Sequence, residues 1–69
     1  MPRYEYEDDK SSKFWEIAVS GDSHAVRYGK IGANGTTKDK SFGSAEEAAA
    51  DAEKLIAKKV GKGYEEKER

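Results

Sequence analysis

Two tight-turn signatures, separated by one strand's length of chain, most limit what this sequence can become. Ser20-Gly21-Asp22-Ser23 offers a glycine for positive φ beside an aspartate that tolerates it, and Gly32-Ala33-Asn34-Gly35 contains Asn-Gly, the strongest short-range hairpin signal. The chain on either side of them alternates with a period of two. Arg3 to Glu7 sets Tyr4 and Tyr6 against Glu5 and Glu7, and Lys13 to Val19 sets Trp15, Ile17 and Val19 against Phe14, Glu16 and Ala18. His24 to Ile31 and Thr36 to Phe42 follow as third and fourth strands. An antiparallel meander of about four strands is expected, with Trp15, Ile17 and Val19 as its core face.

A helix closes the pattern. Ser44-Ala45-Glu46-Glu47 places a serine N-cap three residues before a glutamate, a capping box with acids crowding the first turn. Ala45, Ala48, Ala49, Ala52, Leu55, Ile56 and Val60 then form one apolar stripe suited to lie across the sheet. Lys58 and Lys59 suit the negative end of the helix dipole, and Gly61 is the expected left-handed residue just beyond it, with Tyr64 folding back to the core. The fold class is therefore α+β, one domain over residues 1–69, with an ordered core over 3–64 and a charged tail over 65–69 that frays after a short pairing near Tyr64.

At 69 residues the chain is near the lower size at which a core folds unaided. It contains no cysteine and one histidine, so neither disulfides nor a Cys/His zinc site can staple it, and no metal or cofactor is expected. No apolar run is long enough to span a membrane, and Met1-Pro2-Arg3-Tyr4 lacks the apolar stretch of a secretory signal, so a cytoplasmic monomer is the expectation. The net charge of −1 excludes a broadly basic surface. Its distribution is uneven. Between Lys10 and Phe42 the bases Lys10, Lys13, Arg27, Lys30, Lys38 and Lys40 outnumber the acids Glu16, Asp22 and Asp39, which suits one local anion site.

Catalysis has little to work with. His24 has no cysteine or second histidine to pair with and is expected to face solvent beside a turn, while Glu46, Glu47, Asp51 and Glu53 fall on the expected exposed side of the helix as solvating groups. No enzyme is expected. The glycines of Gly29-Lys30-Ile31-Gly32-Ala33-Asn34-Gly35 do not make a nucleotide loop, because the segment joins two strands rather than opening a helix. In Arg27-Tyr28-Gly29-Lys30 an aromatic and a cation two residues apart share one face of a strand, with a gap at Gly29 on the other. That pair can stack on a base or sugar and hold a phosphate, or it can be an ordinary half-buried tyrosine beside a surface lysine.

Taken together, Lys13-Phe14-Trp15-Glu16-Ile17, Arg27-Tyr28-Gly29-Lys30-Ile31-Gly32 with Asn34-Gly35, Ser41-Phe42 with the alanine-rich helix, and Gly63-Tyr64 resemble a WGR domain of the stand-alone bacterial type. Tyr28-Gly29-Lys30 stands where the family has its naming Trp-Gly-Arg triplet. The resemblance implies a small sheet with one helix across it and a DNA-binding role. In the poly(ADP-ribose) polymerases that carry the domain, the tryptophan packs on a terminal sugar and the arginine helps to hold a 5′ phosphate. Those roles fall here to Tyr28 and Lys30, with Ser12 at the position of a phosphate-contacting asparagine; Arg27 is expected to meet phosphate beside Lys30, and Lys13, Lys38 and Lys40 to supply the surrounding field. Gly29, Gly32, Asn34, Gly35 and Trp15 are the framework positions. Tyrosine keeps a stacking face, whereas lysine keeps the charge and loses the bidentate fork of arginine. A protein-interaction domain that uses the same aromatic without nucleic acid is the alternative.

Overall fold

The computed structural model describes residues 2–67. Five strands and one helix follow in the order β1 (Arg3–Glu7), β2 (Ser12–Ser20), β3 (Ser23–Lys30), β4 (Thr36–Ser41), α1 (Ala45–Gly61) and β5 (Glu65–Glu66). They form one antiparallel sheet in the order β4-β3-β2-β1-β5. The α+β meander with one helix on one face is as expected from the sequence. The short pairing expected near Tyr64 is a fifth strand, one more than the four expected: Glu65 and Glu66 pair with Glu5 and Tyr4, and the Lys67 amide donates to the Arg3 carbonyl at 2.6 Å. The rest of the proposed frayed tail lies outside the described residues.

The β2–β3 hairpin is the spine of the sheet, in register from Lys13↔Lys30 to Ser20↔Ser23. Its two-residue turn uses Gly21 at φ 59° with Asp22 at negative φ, the type II′ arrangement whose twist matches paired strands. At the helix start the Ser44 hydroxyl accepts from the Glu47 amide at 3.2 Å, while the Glu47 carboxylate reaches the Gly43 amide at 3.4 Å. The helix end departs from expectation. Gly61 remains helical and Gly63, at φ 103°, takes the left-handed conformation. Tyr64 N–H then donates to the Lys59 carbonyl at 3.1 Å and Gly63 N–H to that of Val60 at 3.0 Å, the paired bonds of a Schellman motif. Of two glycines flanking Lys62, the second makes the turn, and that choice returns Tyr64 to the sheet.

Helix α1 seals one face, where Tyr4, Trp15, Ile17 and Ala52 are buried and Val26, Leu55, Ile56 and Tyr64 pack around them. Val19, expected in this core, is 47% exposed, although His24 opposite it is buried. The opposite face was not the expected core face, yet its Phe14 is the most deeply buried large side chain, at 1% exposure. No helix covers it. The Arg3 and Arg27 guanidiniums lie 4.4 and 5.3 Å from its ring, and the chain at Gly35 folds back onto it. That close approach needs glycine: a Cβ on Gly35 would lie 2.7 Å from Phe14 Cζ and 2.6 Å from the Tyr28 carbonyl oxygen, and one on Gly29 would lie 2.9 Å from Gly35 Cα. The space expected beside Gly29 is thus filled by Gly35.

A candidate nucleic-acid interface

Register decides which charged side chains can act together. Because Lys13 opposes Lys30 and Trp15 opposes Tyr28, these side chains share the helix-bearing face, and Lys38 and Lys40, opposite Val26 and His24, share it too. Arg27 does not. It opposes Glu16 on the other face, where its Nε donates to Glu16 Oε1 at 2.9 Å while Arg3 Nη1 donates to Oε2 at 2.9 Å and Arg3 Nε to Glu5 at 2.7 Å. Burial pushes the Glu16 carboxyl upward, but the hydrogen bonds and charges of the two arginines outweigh it and hold the group below the usual carboxylate range. Arg27 is therefore engaged in closing the lid over Phe14, and the structure separates it from Tyr28 and Lys30.

At the open ends of β2 and β3, Lys10, Ser12, Lys13, Tyr28, Lys30 and Lys59 surround a cleft of about 540 Å³. Ser12 lines it at the start of β2, its carbonyl accepting from the Ile31 amide at 3.1 Å. Tyr28 is 37% exposed on its wall. Among the described residues, none of the four lysines forms a salt bridge. Asp8, which lies near this end, is occupied in its own turn: it accepts from the Tyr6 hydroxyl and from the Lys10 and Ser11 amides at 2.7–2.8 Å, and these bonds hold its carboxyl low.

Lys59 is the member that the strand-based reading missed. It enters from α1, with its Nζ 5.3 Å from the Tyr64 ring and 5.9 Å from that of Trp15. Burial holds its ammonium below the usual lysine value, and repulsion from Lys62, Lys13 and Lys58 acts in the same direction. The signal was present in the helix period: Lys59 follows Leu55 by four residues and Ala52 by seven, and so continues the sheet-facing stripe. Lys38 and Lys40 lie beyond Tyr28 on the edge strand, with Lys38 Nζ 5.9 Å from the Tyr28 ring. They flank the cleft rather than line it.

His24 is corrected from the solvent-facing position expected of it. It is 4% exposed, its ring lies 5.1 Å from that of Phe42, and its Nε2 is 2.8 Å from Asp51 Oδ2 on α1. That bond is the leading reason the Asp51 carboxyl sits low. Asp51 thus ties the helix to β3 instead of solvating the helix surface. His24 Nδ1 is buried and has no hydrogen-bond partner among the described residues.

The fold and cleft define a small binding module: a five-stranded sheet under one helix, with lysines that form no salt bridge among the described residues gathered where two strands end. The sequence profile of the WGR domain matches residues 3–69, and the chain belongs to that family, a binding-type domain that generally takes nucleic acid. The chain is 50% identical over 64 residues to the uncharacterized protein YfeS of Escherichia coli K12, covering 93% of this chain and 26% of that protein. It is 42% identical over 66 residues to protein YehF of the same organism, covering 96% of this chain and 24% of that one. A crystal structure of a Bacteroides fragilis protein matches 99% of the chain at 49% identity with a TM-score of 0.94, over 20% of its own length. The chain thus spans about a quarter of each curated relative. Among the described residues, no helix is long and apolar enough to cross a membrane.

Proposed function

We propose that this chain is a DNA-binding module that holds phosphate in the lysine cleft, with the half-exposed Tyr28 as the stacking surface beside it. The observation behind this reading is that Lys10, Lys13, Lys30 and Lys59 converge from two strands, a loop and a helix, and none of them forms a salt bridge among the described residues. Lys13 and Lys30 are direct cross-strand partners, an arrangement that costs stability unless an anion arrives. A phosphate supplies that anion, and an open strand end admits a duplex terminus more readily than the middle of a helix. Recognition of a 5′ phosphate assigns Lys30 to the phosphate, Lys13 and Lys59 to its flanks, and Ser12 to a hydrogen bond from its hydroxyl.

Fluorescence anisotropy with 5′-phosphorylated and unphosphorylated blunt duplexes, each at two salt concentrations, tests this. The phosphorylated duplex is expected to bind more tightly, with log K falling against log salt at a slope of about −2 to −3 for two or three neutralised phosphates. Failure of both duplexes to bind at low salt would contradict the proposal. A partner retained after nuclease treatment but lost in Tyr28→Ala would instead favour a protein ligand.

A further inference from the structure

Beside the lysine cleft, between α1 and the β3–β4 edge, lies a second groove of about 400 Å³. It exists because α1 packs on β2 and β3 but leaves all six residues of β4 exposed. Its floor is apolar and aromatic, built from Trp15, Val26, Tyr28 and Leu55, and Lys38 and Lys40 stand on its outer edge. Tyr28 and Lys59 line both openings, so the two form one continuous surface with a charged half and an apolar half. Building on the function proposed above, we infer that the groove takes one unstacked nucleobase from the nucleotide whose 5′ phosphate sits in the lysine cleft, making an unpaired 5′ end the preferred ligand over a blunt one.

Three properties select that occupant. The volume lies near the lower end of the roughly 300–1,000 Å³ typical of small-ligand sites, which suits a single ring system and is too little for an amphipathic helix. Aromatic surface from Tyr28, which is 37% exposed, suits a flat π face, whichever base presents it. Cations on the rim, Lys38, Lys40 and Lys59, complement a ligand that carries phosphate, against a single lining carboxylate, Asp39, among the described residues. A neutral apolar side chain of a protein would use the floor and leave those lysines without a counterpart.

Three 5′-phosphorylated duplexes separate the possibilities: one blunt, one with a single unpaired 5′ 2-aminopurine nucleotide, and one with an abasic nucleotide in its place. The account predicts that the 2-aminopurine overhang binds about tenfold tighter than the abasic one, within the range that stacking of one base contributes. It also predicts that 2-aminopurine fluorescence falls as the base packs on Tyr28. Equal affinity for all three duplexes with unchanged fluorescence would overturn the base-binding inference while leaving phosphate recognition standing. Failure of all three to bind would overturn both.

Discussion

The two faces of this sheet use their cations in opposite ways. Away from the helix, Arg3 and Arg27 converge on one buried acceptor, Glu16, and lie over Phe14, so a small second core is closed by charge. On the helix side, Lys13, Lys30 and Lys59 are gathered with no salt bridge to any of them among the described residues. Planar guanidiniums can share a carboxylate and pack on a ring at once, whereas ammonium groups stay hydrated and repel. The difference teaches that a basic residue's part in binding is set by whether the fold already supplies its anion. Arg27 and Lys30 are three residues apart on one strand, and among the described residues only Arg27 has a carboxylate partner.

Truncations break the comparison most severely. Phe14→Ala removes the centre of the arginine-covered face and is expected to cost about 3–5 kcal/mol in urea unfolding, as for a buried aromatic. Tyr28→Ala, on the partly open helix face, is expected to cost about 1 kcal/mol. Near-equal losses would show that the second face is not a core.

Glu16→Gln is the next largest. It leaves both arginines short of their anion and is expected to cost about 2–3 kcal/mol, less than the roughly 3–5 kcal/mol for breaking a fully buried pair. The reduction reflects Arg27, whose side chain is 40% exposed. The same carboxylate gives an acid dependence. Its folded pKa lies below the unfolded value, so its contribution is complete above the ordinary glutamate pKa of about 4.3 and drains away as pH falls through the lower folded value. In Glu16→Gln that part of the acid destabilisation should disappear from a pH series of unfolding curves.

A smaller effect sharpens the helix-side half. Lys30→Arg restores a fork that matches phosphate geometry and is expected to raise the preference for phosphorylated over unphosphorylated duplex about threefold. An unchanged ratio would place the end phosphate on another lysine.

What the sequence made legible follows from local rules. The turn at Gly21-Asp22, the Ser44 cap and the alternation of β1 each depend on residues within a few positions of one another, and each lies where those rules put it. Phe14 and Glu16 were hidden because alternation assigns one core face to a strand, and a glutamate next to an aromatic in period two reads as solvated. Contacts to Glu16 from Arg3, thirteen residues away, and Arg27, eleven away, and the return of the chain at Gly35 onto Phe14 make that face an interior. His24 was misplaced for the same reason, since its partner Asp51 is 27 residues distant on the helix. Tyr28 and Lys30 were recognisable from strand parity, whereas Lys59 required knowing which side of α1 meets the sheet.

The separation of the two faces is tested most directly by the salt dependence of binding to a 5′-phosphorylated duplex in Lys59→Gln and Arg27→Gln beside the wild type. Loss of one phosphate-neutralising charge should make the slope of log K against log salt shallower by about 0.9 in Lys59→Gln, and the slope in Arg27→Gln should match the wild type. A shallower slope in Arg27→Gln with none in Lys59→Gln would contradict the account, placing the phosphate on the face that the arginines close.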